Sequence, residues 1–117
     1  MKKILIVDDE REICNFVKDF FQERGYAVIT ALNGEEALDL IKDEEELTVI
    51  LDIRMPRMDG LETLRRIKKI KPDFRVIMVT CVDDIEKMEE AKRCGAETYI
   101  TKPLVLDELV KAVMEDD

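Results

Sequence analysis

The order of segments in this sequence predicts an α/β fold built on a doubly wound, five-stranded parallel sheet. Short continuous apolar runs, such as Ile4–Val7 and Val76–Val79, alternate with longer segments in which apolar residues recur every three or four positions. Strands that are apolar at every position are buried on both faces, so helices must cover both sides of the sheet. The 117 residues suffice for one such domain, expected to span 1–117, and they show neither a repeat nor a linker.

The first half of the chain predicts two strand–helix units. Lys3–Asp8 is an apolar run that ends in acids, as in a buried strand. Glu10–Arg24 has the periodicity of a helix, and Gly25 is placed to end it. Tyr26–Thr30 predicts a second strand, and Asn33-Gly34 marks the turn into a second helix. The expected buried residues are Ile13, Phe16, Val17, Phe20 and Phe21 in the first helix, and Ala37, Leu38, Leu40 and Ile41 in the second.

The middle of the chain predicts the central strand. Leu47–Asp52 is an apolar run that ends abruptly in one carboxylate, which would be costly to bury without an ionic or hydrogen-bonding partner. The four acids at 43–46, just before it, are interpreted as a solvated loop rather than a metal site. Proline and Asp-Gly in Met55–Gly60 indicate a loop, and the helix after it is expected to bury Leu61, Leu64, Ile67 and Ile70.

The last third of the chain predicts two further strand–helix units. Arg75–Thr80 is a buried strand that ends at a hydroxyl, and Asp83 or Asp84 can cap the next helix, which Gly95 ends. Glu97–Thr101 is a short fifth strand. The final helix is expected to bury Leu106, Leu109, Val110, Val113 and Met114.

Composition excludes several classes of function. The formal charge of −9 would repel a phosphate backbone, and no basic stripe offsets it, which argues against direct nucleic-acid binding. Three cysteines without a CxxC spacing, and no histidine, argue against zinc or Cys/His catalysis and favour a reducing compartment. Because the apolar run near the amino terminus is too short for a signal peptide or a membrane span, we expect a cytoplasmic protein without a membrane partner.

Polar residues follow four of the five predicted strands. Right-handed crossovers place the carboxyl ends of parallel strands at one edge of the sheet, so these side chains should meet there. The set consists of Asp8, Asp9, Asp52, Thr80 and Lys102. Three like charges need a cation, and an all-oxygen site suits Mg²⁺. Taken alone, the first two acids could equally be an acidic helix amino terminus favoured by the helix dipole.

These strand-end residues and their neighbours resemble the receiver domain of bacterial two-component response regulators, the CheY-like family. The resemblance runs from Lys2 to about Met114. It implies a flavodoxin-like (βα)5 fold with strand order 2-1-3-4-5. The matching motifs are Asp8-Asp9, Leu-Asp-Ile-Arg-Met-Pro around Asp52, the Met58-Asp59-Gly60 turn, Thr80, and Tyr99-Ile100-Thr101-Lys102-Pro103.

The resemblance also implies roles for individual residues. Asp52 would accept a phosphoryl group from the phosphohistidine of a sensor histidine kinase or from a small acyl phosphate. Asp9 and Asp52 would bind Mg²⁺ directly, Asp8 would act through water, and the backbone carbonyl of Arg54 would supply another oxygen. Lys102 would pair with Asp52 at rest and with the phosphoryl group afterwards.

The resemblance further implies a conformational switch. The hydroxyl of Thr80 would bond to the phosphoryl group and move inward, and Tyr99 would rotate into the vacated space. This change would alter the face made by the fourth helix, the fifth strand and the fifth helix, which would contact a downstream protein or a fused effector domain. Homodimerisation on activation and a cis peptide bond at Lys102-Pro103 are further expectations. The protein would catalyse only its own phosphorylation and dephosphorylation.

Three alternative functions stay open at this point. A metal-dependent hydrolase resembling the haloacid dehalogenases would place its nucleophile after the first strand in a DxD pattern, whereas this chain has Asp8-Asp9-Glu10. A flavodoxin-like FMN carrier would need a phosphate-binding first loop rich in Ser, Thr and Gly, which is not present here. A receiver-shaped domain that is never phosphorylated is opposed only by the complete acceptor set.

Overall fold

The computed structural model describes residues 2–80 and 85–114, in which strands and helices alternate strictly. None of the helices in these two ranges has the length and apolar character needed to span a bilayer. The elements are β1 (Lys3–Val7), α1 (Arg11–Glu23), β2 (Ala27–Ala31), α2 (Gly34–Ile41), β3 (Thr48–Asp52), α3 (Gly60–Ile70), β4 (Arg75–Thr80), α4 (Ile85–Arg93), β5 (Thr98–Thr101) and α5 (Leu106–Met114).

The five strands form one parallel sheet in the order β2-β1-β3-β4-β5. The predicted fold class and strand order are therefore confirmed. Because the order reverses at β1, the loops after β1 and β3 diverge to opposite sides of the sheet and leave a crevice between them. The register aligns Val7 with Leu51 and Asp52 with Val79, so β1, β3 and β4 end at nearly the same level.

Two apolar clusters fill the space between the sheet and its helices. Successive strand residues alternate between the clusters, as in β4, where Val76 and Met78 face one side and Ile77 and Val79 face the other. One cluster includes buried residues of α2, α3 and α4, and the other includes those of α1 and α5. Burial on both faces explains the continuous apolar runs inside β1, β3 and β4.

Polar side chains and glycines set the helix ends where the sequence indicated them. The Asn33 side chain accepts a hydrogen bond from the backbone of Glu36 at the start of α2, at 2.8 Å. Asp59 does the same at the start of α3, where it accepts from Glu62 at 3.0 Å. Such caps satisfy backbone N–H groups that the first turn leaves unpaired. The predicted caps of α4, Asp83 and Asp84, lie outside the described residues.

Gly60, the first residue of α3, lies against the end of the central strand. A Cβ atom at this position would lie 2.6 Å from the Cα of Ile53 and closer still to the backbone carbonyl of Asp52. The Gly60 amide also donates to the Ile53 carbonyl at 2.8 Å. Glycine is therefore required for close approach, and α3 is fixed directly beside the acidic end of β3.

Three of the expected core residues are exposed instead. Phe16 is 57% exposed, Ile70 48% and Met114 49%, whereas Cys14, Thr63 and Ala112 are buried in the same three helices. In α1 the buried face is centred between Val17 and Cys14, and Phe16 lies about 100° around the helix from Val17. Apolar character alone predicts these three residues as core, but the rotation of each helix against the sheet turns them outward and buries Cys14, Thr63 and Ala112.

In the acidic loop before β3, Asp43, Glu45 and Glu46 are exposed, as predicted for a solvated loop, whereas Glu44 is half-buried. The Glu44 carboxylate lies 2.9 Å from Lys3 Nζ in an ion pair, and the Glu44 carbonyl accepts from Lys71 Nζ at 2.9 Å. The loop is therefore attached to both β1 and the end of α3. A run of acids predicts exposure on average, but basic residues in neighbouring elements can bind one of them.

Candidate functional site

The predicted strand-end residues do meet at one edge of the sheet. Asp8 follows β1, Asp52 ends β3, Thr80 ends β4 and Lys102 follows β5. The backbone also connects these ends, because Lys102 N–H donates to the Thr80 carbonyl at 2.7 Å and Ile53 N–H donates to the Val79 carbonyl at 3.0 Å. The sheet itself therefore fixes the spacing of the polar side chains.

Asp52 is a buried carboxylate with two polar partners. It is 4% exposed, Lys102 Nζ donates to its Oδ2 at 3.1 Å, and the Arg54 backbone N–H donates to its Oδ1 at 3.2 Å. Burial raises the pKa of the Asp52 carboxyl, while the hydrogen bond and charge of Lys102 oppose that rise. One ammonium group thus offsets only part of the cost of holding this charge in the interior.

Asp8 is the second buried acid of the site. It is 5% exposed, and its Oδ1 accepts from the Glu10 backbone N–H at 2.8 Å. Burial raises the pKa of Asp8 to about 6; the Glu10 hydrogen bond opposes this rise, and the nearby charge of Asp52 adds to it. The Asp8 carboxylate is therefore held in a position that disfavours its charge.

Asp9 completes an oxygen cluster of the kind that binds a hard cation. One carboxylate oxygen from each of Asp8, Asp9 and Asp52 lies within 4.8 Å of the others. Asp9 is exposed and faces the solvent side, which leaves an open approach to the cluster. Carboxylate oxygens with room for water are the ligands that Mg²⁺ prefers, and a divalent charge would offset the repulsion that raises the pKa of Asp8.

Thr80 and Tyr99 lie on the adjacent strands β4 and β5. Thr80 is 1% exposed and pairs with Thr101 in the register of β4 and β5. Tyr99 is half-buried against the apolar core cluster that includes residues of α3 and α4. Lys92 Nζ lies 4.5 Å from the centroid of the Tyr99 ring. The Lys102–Pro103 peptide bond is cis, as the resemblance implied.

Two side chains near the site were not predicted. The buried Cys14 thiol donates to the Asp8 carbonyl at 3.3 Å. Burial raises the pKa of this thiol to about 11, so it remains a neutral donor. Lys87, in the first turn of α4, reaches a cleft next to Asp9. Neither follows a strand, so a search confined to strand ends could not find them. Helix periodicity could have indicated Cys14, at i−3 from Val17.

The fold and this acidic edge define a doubly wound α/β domain with an acidic crevice at the carboxyl ends of its strands, and comparison with known proteins identifies the class. The family model described as "Response regulator receiver domain" matches residues 4–114. The chain belongs to that family. It is a receiver domain of two-component response regulators, in which phosphorylation on an aspartate and conformational switching are typical.

Individual relatives agree with this assignment. The chain is 40% identical to sporulation initiation phosphotransferase F of Bacillus subtilis, over 96% of this chain and 90% of that protein. It is 36% identical to response regulator MprA of Mycolicibacterium vanbaalenii over 92% of this chain, but spans only about half, 47%, of that longer protein. Receiver domains interact with sensor kinases and output domains, and they are not conventional enzymes.

Solved structures show the same architecture. A CheY-like receiver domain from Methanospirillum hungatei superimposes with a TM-score of 0.94 at 34% identity, covering 99% of this chain and 93% of that one. Response regulator TrrA from Thermotoga maritima, solved in complex with Mg²⁺-BeF, gives a TM-score of 0.85 at 38% identity, covering 98% of both chains. Receiver domains bind Mg²⁺ at an acidic pocket of the kind formed here by three aspartates.

The raised pKa of Asp8 predicts how metal-free stability depends on pH. A carboxyl whose folded pKa of about 6 exceeds its ordinary 3.8 destabilises the fold above pH 6, and this loss disappears as the pH falls below 3.8. We therefore expect Asp8→Asn to raise the free energy of unfolding at pH 7.5 by about 1–2 kcal/mol, allowing for solvent at the open mouth. Denaturant unfolding in EDTA measures this quantity.

The gap between Asp8→Asn and the parent should shrink as the pH is lowered from 7.5 towards 4. Asp19→Asn, an exposed substitution in α1 with the same change in net charge, serves as the control and should show no such trend. A variant that is less stable than the parent at pH 7.5, or a gap that does not vary with pH, would contradict the account.

Proposed function

We propose that this protein accepts a phosphoryl group on Asp52 from the phosphohistidine of a sensor histidine kinase, in a Mg²⁺-dependent reaction. The observation that carries the proposal is the placement of a buried nucleophilic carboxylate between the Lys102 ammonium group and two further acids. A carboxylate can form an aspartyl phosphate only if the repulsion between it and the incoming anion is offset. Lys102 supplies one positive charge for this purpose, and a divalent cation would supply the remainder.

The acidic residues fit the metal part of this proposal. Asp9 and Asp52 would bind Mg²⁺ directly, Asp8 would act through a bound water molecule, and the Arg54 backbone carbonyl would add an oxygen. When bound, Mg²⁺ supplies positive charge that offsets the carboxylates and the phosphoryl oxygens. The raised pKa of Asp8 and of Asp52 supports this assignment, because it indicates charges that the protein alone does not offset.

The protein's own residues would carry the transfer. An Asp52 carboxylate oxygen attacks phosphorus, the bond from phosphorus to the donor breaks, and the electron pair leaves with the donor. Lys102 moves from Asp52 to a phosphoryl oxygen, which its single mobile charge allows. The Thr80 hydroxyl donates to another phosphoryl oxygen. The chain would thus catalyse only its own phosphorylation and dephosphorylation.

The signal would leave the site through Thr80 and Tyr99. Movement of Thr80 towards the phosphoryl group frees space on the neighbouring strand, and Tyr99 rotates inward to fill it. The face of α4, β5 and α5 then changes shape, with Pro103 fixing the turn between β5 and α5. A downstream protein or a fused effector domain would read this face, and a homodimer could form through it on activation. The kinase partner, together with the free cysteines Cys14 and Cys94, favours the cytoplasm as the location, with neither nucleic acid nor membrane bound directly.

Intact-mass spectrometry tests phosphoryl transfer directly. Acetyl phosphate with Mg²⁺ should add one phosphoryl group to the parent, and EDTA should prevent the addition. The adduct should be labile to hydroxylamine, because aspartyl phosphates are acyl phosphates. Asp52→Asn should abolish it, whereas Asp43→Asn, an exposed change of the same type, should not. Absence of any adduct in the parent with both acetyl phosphate and phosphoramidate would favour a receiver-shaped domain that only binds.

The contact between Lys92 and Tyr99 predicts a bias in the switch. A cation–π pair at an exposed site contributes about 0.5–1 kcal/mol, so Lys92 should favour the half-buried position of Tyr99. We expect Lys92→Met to shift the switch equilibrium about two- to fivefold towards the inward position, and Lys92→Arg to retain the parent balance. Fluorine NMR of protein labelled with 3-fluorotyrosine measures this, with Tyr26→Phe to assign the signals.

In Lys92→Met the Tyr99 resonance should move towards its position in the phosphorylated parent. Arg93→Met, which removes a neighbouring charge on the same helix, is the matched control. If the resonance stays at the position of the unphosphorylated parent, Lys92 does not bias the switch.

A further inference from the structure

A cleft of about 560 Å³ adjoins the acidic cluster on its outer side. Its walls are formed by Asp9, by the loop between β3 and α3, and by Lys87 of α4. Asp52 is 4% exposed, and the loop residues that line the cleft follow it directly in the chain. The lining residues are Asp9, Ile53, Arg54, Met55, Pro56, Arg57, Asp59 and Lys87.

The charges that line the cleft favour an anion. Asp59 caps α3 through its hydrogen bond from Glu62, and Arg57 lies 4.0 Å from Glu35 in an exposed ion pair. Lys87 makes no hydrogen bond or ion pair with any residue in the described ranges 2–80 and 85–114, and its side chain is exposed. Once a divalent cation offsets Asp9, the cleft lining holds three cationic side chains, Arg54, Arg57 and Lys87, and one carboxylate, Asp59, in a chain whose net charge is −9.

The direction of phosphoryl transfer connects this cleft to the reaction. Asp52 attacks from the interior, and the bond that breaks lies on the opposite side of phosphorus because attacking and leaving groups are roughly in line. The leaving group therefore departs on the solvent side, where the cleft lies. In a loose transition state negative charge develops on the leaving oxygen, and a cation placed there stabilises it.

We propose that this cleft binds the carboxylate leaving group of small acyl phosphate donors and that Lys87 is the residue that determines this donor specificity. The inference rests on the proposed function of Asp52. In the step, a bond forms between an Asp52 oxygen and phosphorus, the bond from phosphorus to the acyl oxygen breaks, and its electron pair leaves as carboxylate. No proton is transferred. The carboxylate then separates from the Lys87 ammonium group into solvent.

Donors with a neutral leaving group distinguish this role from general electrostatic attraction. Phosphoramidate releases ammonia, which carries no negative charge for Lys87 to stabilise. Both donors present a phosphoryl group to the same acidic cluster, so a defect in metal binding or in Asp52 would slow both. A defect confined to acetyl phosphate would locate the effect at the leaving group.

The test compares Lys87→Gln and Lys87→Arg with the parent in initial rates of Asp52 phosphorylation, at one Mg²⁺ concentration and ionic strength. Lys87→Gln should slow phosphorylation by acetyl phosphate about three- to fivefold, the value of one partly exposed charge pair, and change the phosphoramidate rate less than twofold. Lys87→Arg should restore the acetyl phosphate rate. Arg93→Gln removes the same charge from α4 outside the cleft and should affect neither donor.

Equal slowing with both donors, equal slowing by Arg93→Gln, or an unchanged acetyl phosphate rate in Lys87→Gln would overturn the proposal. If the parent is phosphorylated but Lys87→Gln slows both donors equally or neither donor, the proposed function of Asp52 stands and only the role of Lys87 is refuted. A parent that neither donor phosphorylates would refute both.

Discussion

The rest of this structure depends on the crowding of three carboxylates at the carboxyl edge of one sheet. Burial and mutual repulsion raise the pKa of Asp8, and burial raises that of Asp52, although Lys102 lies 3.1 Å from the latter. Such a cluster is unfavourable in isolation, and it persists only where the surrounding chain fixes each member. The same unfavourable charge makes the site able to bind a cation and to accept an anionic group.

Backbone contacts help to hold these charges in place. Asp8 N–H donates to the Ala31 carbonyl at 3.1 Å, the Cys14 thiol donates to the Asp8 carbonyl, and Gly60 lets α3 approach the end of β3. Strands buried on both faces supply hydrophobic stabilisation, which offsets the unfavourable burial of charge at this edge of the sheet. The unfavourable features, buried and crowded carboxylates, are therefore confined to one edge of an otherwise regular domain. Such departures from ordinary packing are expected at functional sites.

Most of the fold was predictable from sequence because the strands are continuous apolar runs whose ends carry polar residues. The position of Asp52, Thr80 and Lys102 at strand ends follows from that pattern and from parallel topology. What could not be predicted depends on packing: Cys14 rather than Phe16 is buried in α1. The position of Lys87 at the cleft also depends on tertiary packing, because it requires α4 to lie beside the loop after β3.

The most direct test of the central constraint is the dependence of unfolding free energy on Mg²⁺ at pH 7.5, with NaCl at matched ionic strength as reference. If the acidic cluster lacks a compensating cation, stability should rise with the logarithm of Mg²⁺ above the dissociation constant, by about 2.7 kcal/mol at a hundredfold excess. Asp9→Asn, at an exposed position, should remove most of that increase. Equal stabilisation of the parent by Mg²⁺ and by NaCl would show that the cluster binds no divalent ion and would contradict the account.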